Sequence, residues 1–527
     1  MLGSTWDRPL PMSSRDRDRA SLCWVKANNV WGVLLVTGLG FGVTSAACHD
    51  VRSKADAPNQ TLTGGAISSG DPRAAGGGGG ATALEANSTK SASAGATLEP
   101  VASAELPEGV ARAGTDRVPP SALSGAVKAN NEFGTALFGA LRAESASKNF
   151  LTSPISASLA LGMTYAGARG QTQTELARAL RLGALSGDKL FAGQNALSQS
   201  LSTRGPLAFE QAQADARGSA TPPLASDYTL EIVNSLWGQA SYPWQAPFLQ
   251  TLANNYGAGL FKRDFVRSAQ PTRLEINHWV SAHTNDKIND LLPAPAVTPD
   301  TRLVLVNALH LKFPWDTEFR KSATKALPFT RTDRKPVTVQ FMHRQAQHAY
   351  RDDGSAQIVG LPLSSRRLWL IVALPHAGIS LTDYERSLRA DSPALSVPSK
   401  QELVALALPR VTFTSPSFSL ASALQRLGMT QAFDPKLARF EGMAQVPPGE
   451  APLFIGDVVQ KTMIAMQETG IEAAAATAVM MMAGAAFAPH KEPVPIPMLV
   501  NRPYLLAIVD QPTGALLMLG HIEEPQE

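Results

Sequence analysis

Between His49 and Glu132 the chain contains no Phe, Trp or Tyr. Twenty of the thirty residues from 71 to 100 are Ala, Gly, Ser or Thr, and 76–80 are all Gly. Ordering a chain costs about 1–2 kcal/mol per residue, and so little apolar surface cannot offset it. Residues 48–125 are therefore read as a flexible tether. No Gly-Lys-Ser/Thr follows the glycine run, which excludes a phosphate-cradling loop. Aromatic residues return at Phe133 and continue to the end without a second tether. Length alone, at roughly 150 residues per domain, suggests three or four domains. The tether reduces that to one folded domain, over 126–527.

Ahead of the tether, residues 27–48 carry no charge, and Arg8, Arg15, Arg17, Arg19 and Lys26 precede them. A short apolar centre over 30–43 leads into Thr44-Ser45-Ala46-Ala47-Cys48. A basic region, an apolar run and a small-residue exit predict an export signal over 1–47, with Met12 an alternative start. An uncleaved membrane anchor is the rival reading. Ser45-Ala46-Ala47-Cys48 resembles a bacterial lipobox, which implies lipidation of Cys48 and a membrane tether. Conventional cleavage after Ala46 or Ala47 is the other route. The protein is thus expected outside the cell or on its envelope. Cys23 and Cys48 are the only cysteines, so neither a disulfide framework nor a cysteine-based metal site is expected. The net charge of +3, with no clustered Lys or Arg, gives no nucleic-acid partner.

Within the domain, Phe133, Leu137 and Leu141 recur at four-residue spacing and predict an amphipathic helix over 126–142. Ser153-Pro154 predicts a helix start, and Thr172-x-x-Glu175 predicts a capping box opening a helix to Leu180. Residues 303–312 are apolar on both alternating faces, which predicts a central strand covered on each side, with Asn307 a buried polar group needing partners. Further strands are expected at 230–237, 368–374, 403–408, 411–413, 458–466, 504–509 and 516–519. Helices early and strands later predict an α+β fold.

Enzyme motifs are absent. None of the nine histidines lies in H-E-x-x-H, and no Gly-x-Ser-x-Gly elbow occurs. The histidines, His310 among them, are read as core or surface residues. No metal, cofactor or catalytic residue is assigned.

The informative segment runs from Glu468 through Thr469, Gly470, Ile471, Glu472, Ala473, Ala474, Ala475, Ala476 and Thr477 to Phe487. It lies in the loop between the strand-like segments 458–466 and 504–509, and that loop exceeds thirty residues; loops of that length are usually functional or disordered. It resembles the hinge and reactive loop of a serpin, and ordered matches elsewhere agree. They include Asn149-Phe-x-x-Ser153-Pro154-x-Ser156, Gly167-Ala-x-Gly170-x-Thr172 and Ile276-Asn277-x-Trp279-Val280. Thr284-x-x-Lys287-Ile288 and Leu305-Val306-Asn307-Ala308 follow, the latter with Lys312 and Trp315. Leu408-Pro409-Arg410, Leu427-Gly428-Met429, Phe440-x-Gly442-Met443, Asn501-Arg502-Pro503-Tyr504 and Leu519-Gly520-x-Ile522 complete them.

The resemblance implies a serpin fold of a bacterial secreted or lipoprotein type. That fold has a large central mixed or antiparallel sheet, two further sheets, about eight or nine helices and an exposed reactive loop. It implies an inhibitor of serine proteases, monomeric and without cofactor, that is cleaved in its loop and then inserts that loop into the main sheet. About 16 residues at ~3.3 Å each give a displacement of order 50 Å. On one face the inserting strand would carry Ile471, Ala473, Ala475, Thr477, Val479 and Met481, none charged. Ile471 stands where the family usually has Thr or Ser. The sheet-opening region is implied at Ser153, Ser156, Asn307, Trp315 and Gln460, with Gln460 in place of a usual His. A glutamine both donates and accepts, so a bond to Asn307 is expected. Counted from Glu468, the scissile bond falls at Gly484-Ala485, with Met482, Ala483 and Phe487 as alternatives. None is Lys or Arg, which favours an elastase-like or subtilisin-like target. A longer far side carries His490, Lys491, Pro493, Pro495 and Pro497. The alternative is a non-inhibitory serpin that binds or scaffolds and whose loop is only cut.

Overall fold

A computed structural model describes residues 23–27, 30–34, 104, 106–107, 110–143, 149–185, 187–217, 222–472 and 493–526. The chain divides into two units, Met1–Ser93 and Ala94–Glu527. In the first, Cys23–Ala27 and Val30–Leu34 pair as an antiparallel hairpin, inside the segment read as an export signal. The tether, Cys48 included, lies outside the described residues up to Ala104.

In the second unit the first helix is Pro120–Arg142, and it buries Phe133, Leu137 and Leu141 as their spacing predicts. It starts before Ala126 because Pro120 occupies the first turn, where a missing N–H costs nothing. Residues just ahead of it also lie on the fold: Ala113 N donates to Asn254 O at 2.7 Å. The helix Gly170–Ala179 has no side-chain cap. Thr172 Oγ1 instead accepts from Arg439 N, and the Glu175 carboxylate accepts from the backbone N–H groups of Thr430 and Gln431. The predicted capping box thus holds a neighbouring segment. Desolvation would raise the Glu175 carboxyl, but those bonds hold it below the ordinary range.

Two large sheets and nine α-helices occur among the described residues. The strand Leu303–Pro314 is buried at every position except Lys312. Its Leu309, Leu311 and Phe313 pack with Leu159 of the helix Pro154–Gly167. Its Val304, Val306 and Ala308 pack with Trp279 and Val280 of the helix Phe265–His283. Each such side chain contributes about 1.5–3 kcal/mol, which makes this strand the spine of the sheet. It runs antiparallel to Thr229–Gln239 on one side and parallel to Val458–Lys461 on the other.

The second sheet has nine strands, from Ile496–Leu499 across to Asn149–Thr152. The two further sheets expected by resemblance are continuous here. Pro336–Asp352, a strand of 17 residues, pairs in turn with Lys325–Thr330, Gln401–Pro409 and Ala356–Pro362. The expected strand over 458–466 is two strands, Val458–Lys461 and Met463–Gln467.

Under the helix Phe265–His283, Trp237 stacks on Phe261 at 4.1 Å and meets the edge of Trp279 at 6.2 Å. Trp237→Ala empties this fully buried site and should lower native-state stability by about 3–5 kcal/mol. Denaturant unfolding checks this; a loss under about 1 kcal/mol would contradict the packing described.

Candidate functional site

The ladder between the central strand and its parallel partner extends only from the Leu305–Val458 pair to the Ala308–Lys461 pair. At Thr462 it stops. Thr462 N donates to Ser415 Oγ at 2.9 Å, and Thr462 Oγ1 donates to Leu151 O at 2.9 Å. Those bonds turn the chain away, and Met463–Gln467 resumes in pairing with Val411–Thr414. Among the described residues, positions 309–312 of the central strand have a partner strand on one side only.

Gly470–Ile471 enters this opening from its far end. Ile471 pairs antiparallel with Met466 on one side and Phe313 on the other, and Gly470 pairs with Gln467 and Pro314. Ile471 is only 1% exposed and packs within the cluster that holds Leu311, Phe313 and Met466. The hinge is therefore seated in the sheet for one rung, and the apolar Ile471 suits a fully buried position. Glu472 N donates to Ala465 O at 2.6 Å, but its φ of 53° turns the chain out of strand geometry.

The turn before Gly470 is fixed by its neighbours. Trp315 Nε1 donates to Gln467 O at 2.7 Å, Trp315 N to Thr469 O at 3.0 Å, and Phe319 N to Glu468 O at 2.9 Å. The Glu468 carboxylate accepts from Arg410 Nε at 2.9 Å and from Thr324 Oγ1 at 2.5 Å. Desolvation would raise this carboxyl, but the Arg410 and Thr324 bonds hold it below its ordinary value. Trp315, grouped by resemblance with the sheet-opening residues, lies at this hinge end, away from the other four. Eight residues of strand separate it from Asn307, roughly 26 Å.

At the closed end the structure brings Ser153, Ser156, Asn307 and Gln460 together, all fully buried. Gln460 Oε1 accepts from Thr152 Oγ1 at 2.7 Å and from Ser153 N at 3.0 Å. Gln460 Nε2 donates to Ser153 O at 3.1 Å and to Asn307 Oδ1 at 2.8 Å. Ser153 Oγ donates to Leu517 O, and Ser156 Oγ to Ala308 O, each at 3.0 Å. One amide thus ties the central strand to the segment that starts the helix Pro154–Gly167. Asn307 Nδ2 finds no partner among the described residues.

Ala473, Ala474, Ala475, Ala476 and Thr477 of the hinge, and the candidate scissile residues Met482, Ala483, Gly484, Ala485 and Phe487, lie outside the described residues. No cluster of three His, Cys, Asp or Glu suited to a metal ion occurs among the described residues. Sequence reasoning gave no role to Arg410, Thr462 or His310. Arg410 stood inside a quoted motif and His310 on the alternate face of the central strand, but what they touch follows only from three-dimensional register.

A family model described as serpin (serine protease inhibitor) matches residues 128–525. The chain belongs to the serpin family. Serpin B6 of Bos taurus is 34% identical to it over 404 residues, covering 76% of this chain and 99% of that protein. Leukocyte elastase inhibitor of Equus caballus is 30% identical over 408 residues, covering 75% and 98%. The crystal structure of the thermophilic serpin tengpin in the native state matches with a TM-score of 0.66 at 25% identity, over 80% of this chain and all of that one.

In this serpin Gln460 makes four hydrogen bonds at the closed end of the sheet. Gln460→Ala should destabilise the uncleaved protein by about 2–4 kcal/mol, at about 1 kcal/mol for each of its four bonds. Thermal melting of the uncleaved chain measures it, and an unchanged midpoint would remove Gln460 from this role.

Proposed function

We propose that this serpin inhibits serine endopeptidases as a suicide substrate. The protease serine attacks the scissile carbonyl, the peptide C–N bond breaks, and the new amine leaves with a proton. The acyl-enzyme then travels with the loop as it adds to the main sheet, and deformation of the protease stops deacylation. This requires a native state held by a barrier above a more stable inserted form.

The observation that carries the reading is Ile471, paired on both edges at the mouth of an opening beside residues 309–312. Continued pairing beyond Ile471–Phe313 would set residue 473 opposite Leu311. The residues that follow on its face, Ala473, Ala475, Thr477, Val479 and Met481, can be buried without desolvating a charge. Glu472, Ala474, Ala476 and Ala478 would take the other face.

For the target, Gly484-Ala485 and its alternatives carry no basic side chain, which supports an elastase-like or subtilisin-like protease. The similarity to a protein named leukocyte elastase inhibitor supports the same class. We further propose that the chain is exported and acts outside the cell or on its envelope as a monomer, with Cys48 as lipid attachment. The support is the uncharged stretch and small-residue exit before Cys48.

Incubation with pancreatic elastase or subtilisin should give a covalent complex that survives SDS, and mass spectrometry of the released peptide should place the cut within 482–487. Cleaved serpin beside fully active protease, for both enzymes, would refute trapping. Ile471→Arg, which places a charge in the buried position, should shift the products from complex to cleaved chain.

A further inference from the structure

Among the described residues the strand pairing of the hinge ends at Ile471, and the side chain that follows is held. The Glu472 carboxylate is 4% exposed and lies 3.0 Å from His310 Nε2, itself 4% exposed. Lys287 Nζ, from the segment after the helix Phe265–His283, lies 3.9 Å from the same oxygen. Continuing the antiparallel register beyond Ile471–Phe313 would put residue 472 opposite Lys312 and residue 474 opposite His310. Glu472 instead reaches two positions ahead on the same face of the central strand, with a left-handed backbone. Full insertion delivers Ala474 beside His310 and carries Glu472 toward Lys312. Withdrawal of the hinge carries Glu472 out of reach. The contact therefore belongs to the one-rung state alone.

We propose that His310 and Glu472 are a positioning pair, a catch that holds the hinge one rung into the sheet and must open before the loop inserts. This rests on the inhibitory reading above. The groups around the pair fix which atom donates and which accepts. Asn285 Nδ2 lies 3.5 Å from His310 Nδ1, so with the amide as donor the imidazole proton sits on Nε2 and is donated to Glu472. Glu231 stands opposite His310 on the neighbouring strand. Lys312 is engaged by Asp227 at 2.6 Å, and His283 is stacked on Trp279 at 4.2 Å. The facing segment Met463–Gln467 brings no charged side chain.

The test uses the full chain, uncleaved, warmed until the loop inserts spontaneously, with the inserted form scored by its resistance to denaturant. His310→Ala and Glu472→Ala should each speed insertion by about ten- to a hundredfold, and the double variant should be no faster than either single one. His310→Gln keeps a donor and Glu472→Gln keeps an acceptor; both should fold and insert more slowly than the alanine variants. Rates within twofold of the parent for all variants, or additive effects of the two alanines, would overturn the catch. Acceleration by the alanine variants in a chain that forms no SDS-stable protease complex would uphold the catch and refute the inhibitory reading instead.

Discussion

Thr462 decides the character of the main sheet. By bonding to Ser415 and Leu151 it ends the parallel ladder after Lys461, and among the described residues one edge of 309–312 has no neighbouring strand. Everything else at the site is arranged about that gap. Gln460 joins the strands at the closed end, Ile471 fills the first rung at the open end, and Arg410 with Trp315 fixes the turn from which the hinge departs. Among the described residues the central strand is buried on both faces and paired along only part of one edge, the arrangement that the proposed insertion requires.

Polarity within this apolar spine is confined to a few positions with opposite tasks. Asn307 meets Gln460 on the face toward the helix Pro154–Gly167. His310 meets Glu472 on the face toward the helix Phe265–His283. Leaving a buried polar group unpaired costs about 1–3 kcal/mol, so both contacts resist movement of the strands that carry them. Glu468 resists in another way. Its carboxylate stays ionised beside Arg410, which ties the hinge base to the strand pair Val411–Thr414 and Met463–Gln467 rather than to the loop.

Much of this was legible in the sequence because it rests on periodicity. Alternation over 303–312 with apolar residues on both faces located the spine, and the four-residue spacing of Phe133, Leu137 and Leu141 located the first helix. The absence of aromatics before Phe133 separated tether from fold, although Pro120 and the bonded Ala113 show the folded unit beginning ahead of Ala126. Composition sees core residues, and a segment held by backbone hydrogen bonds leaves no such mark. Resemblance named Ser153, Ser156, Asn307 and Gln460, which the structure brings together, and a hinge of which only 468–472 lies among the described residues. It grouped with these four Trp315, which lies at the other end of the strand beside the hinge. It gave no sign of Thr462, whose effect depends on Ser415, 47 positions away in sequence, or of the His310–Glu472 contact, 162 positions apart. Thr172-x-x-Glu175 shows the same limit: the local pattern was correct in form, and its partners were Thr430, Gln431 and Arg439.

The central claim is that the main sheet has room for one more strand and gains stability by receiving it. Thermal melting of the intact chain against the same chain cut once within 473–492, both fragments retained, tests this most directly. The account predicts that the cut protein melts at least about 10 °C higher, since a full strand of buried contacts is added. A cut protein that melts at the same temperature as the intact chain, or lower, would contradict it.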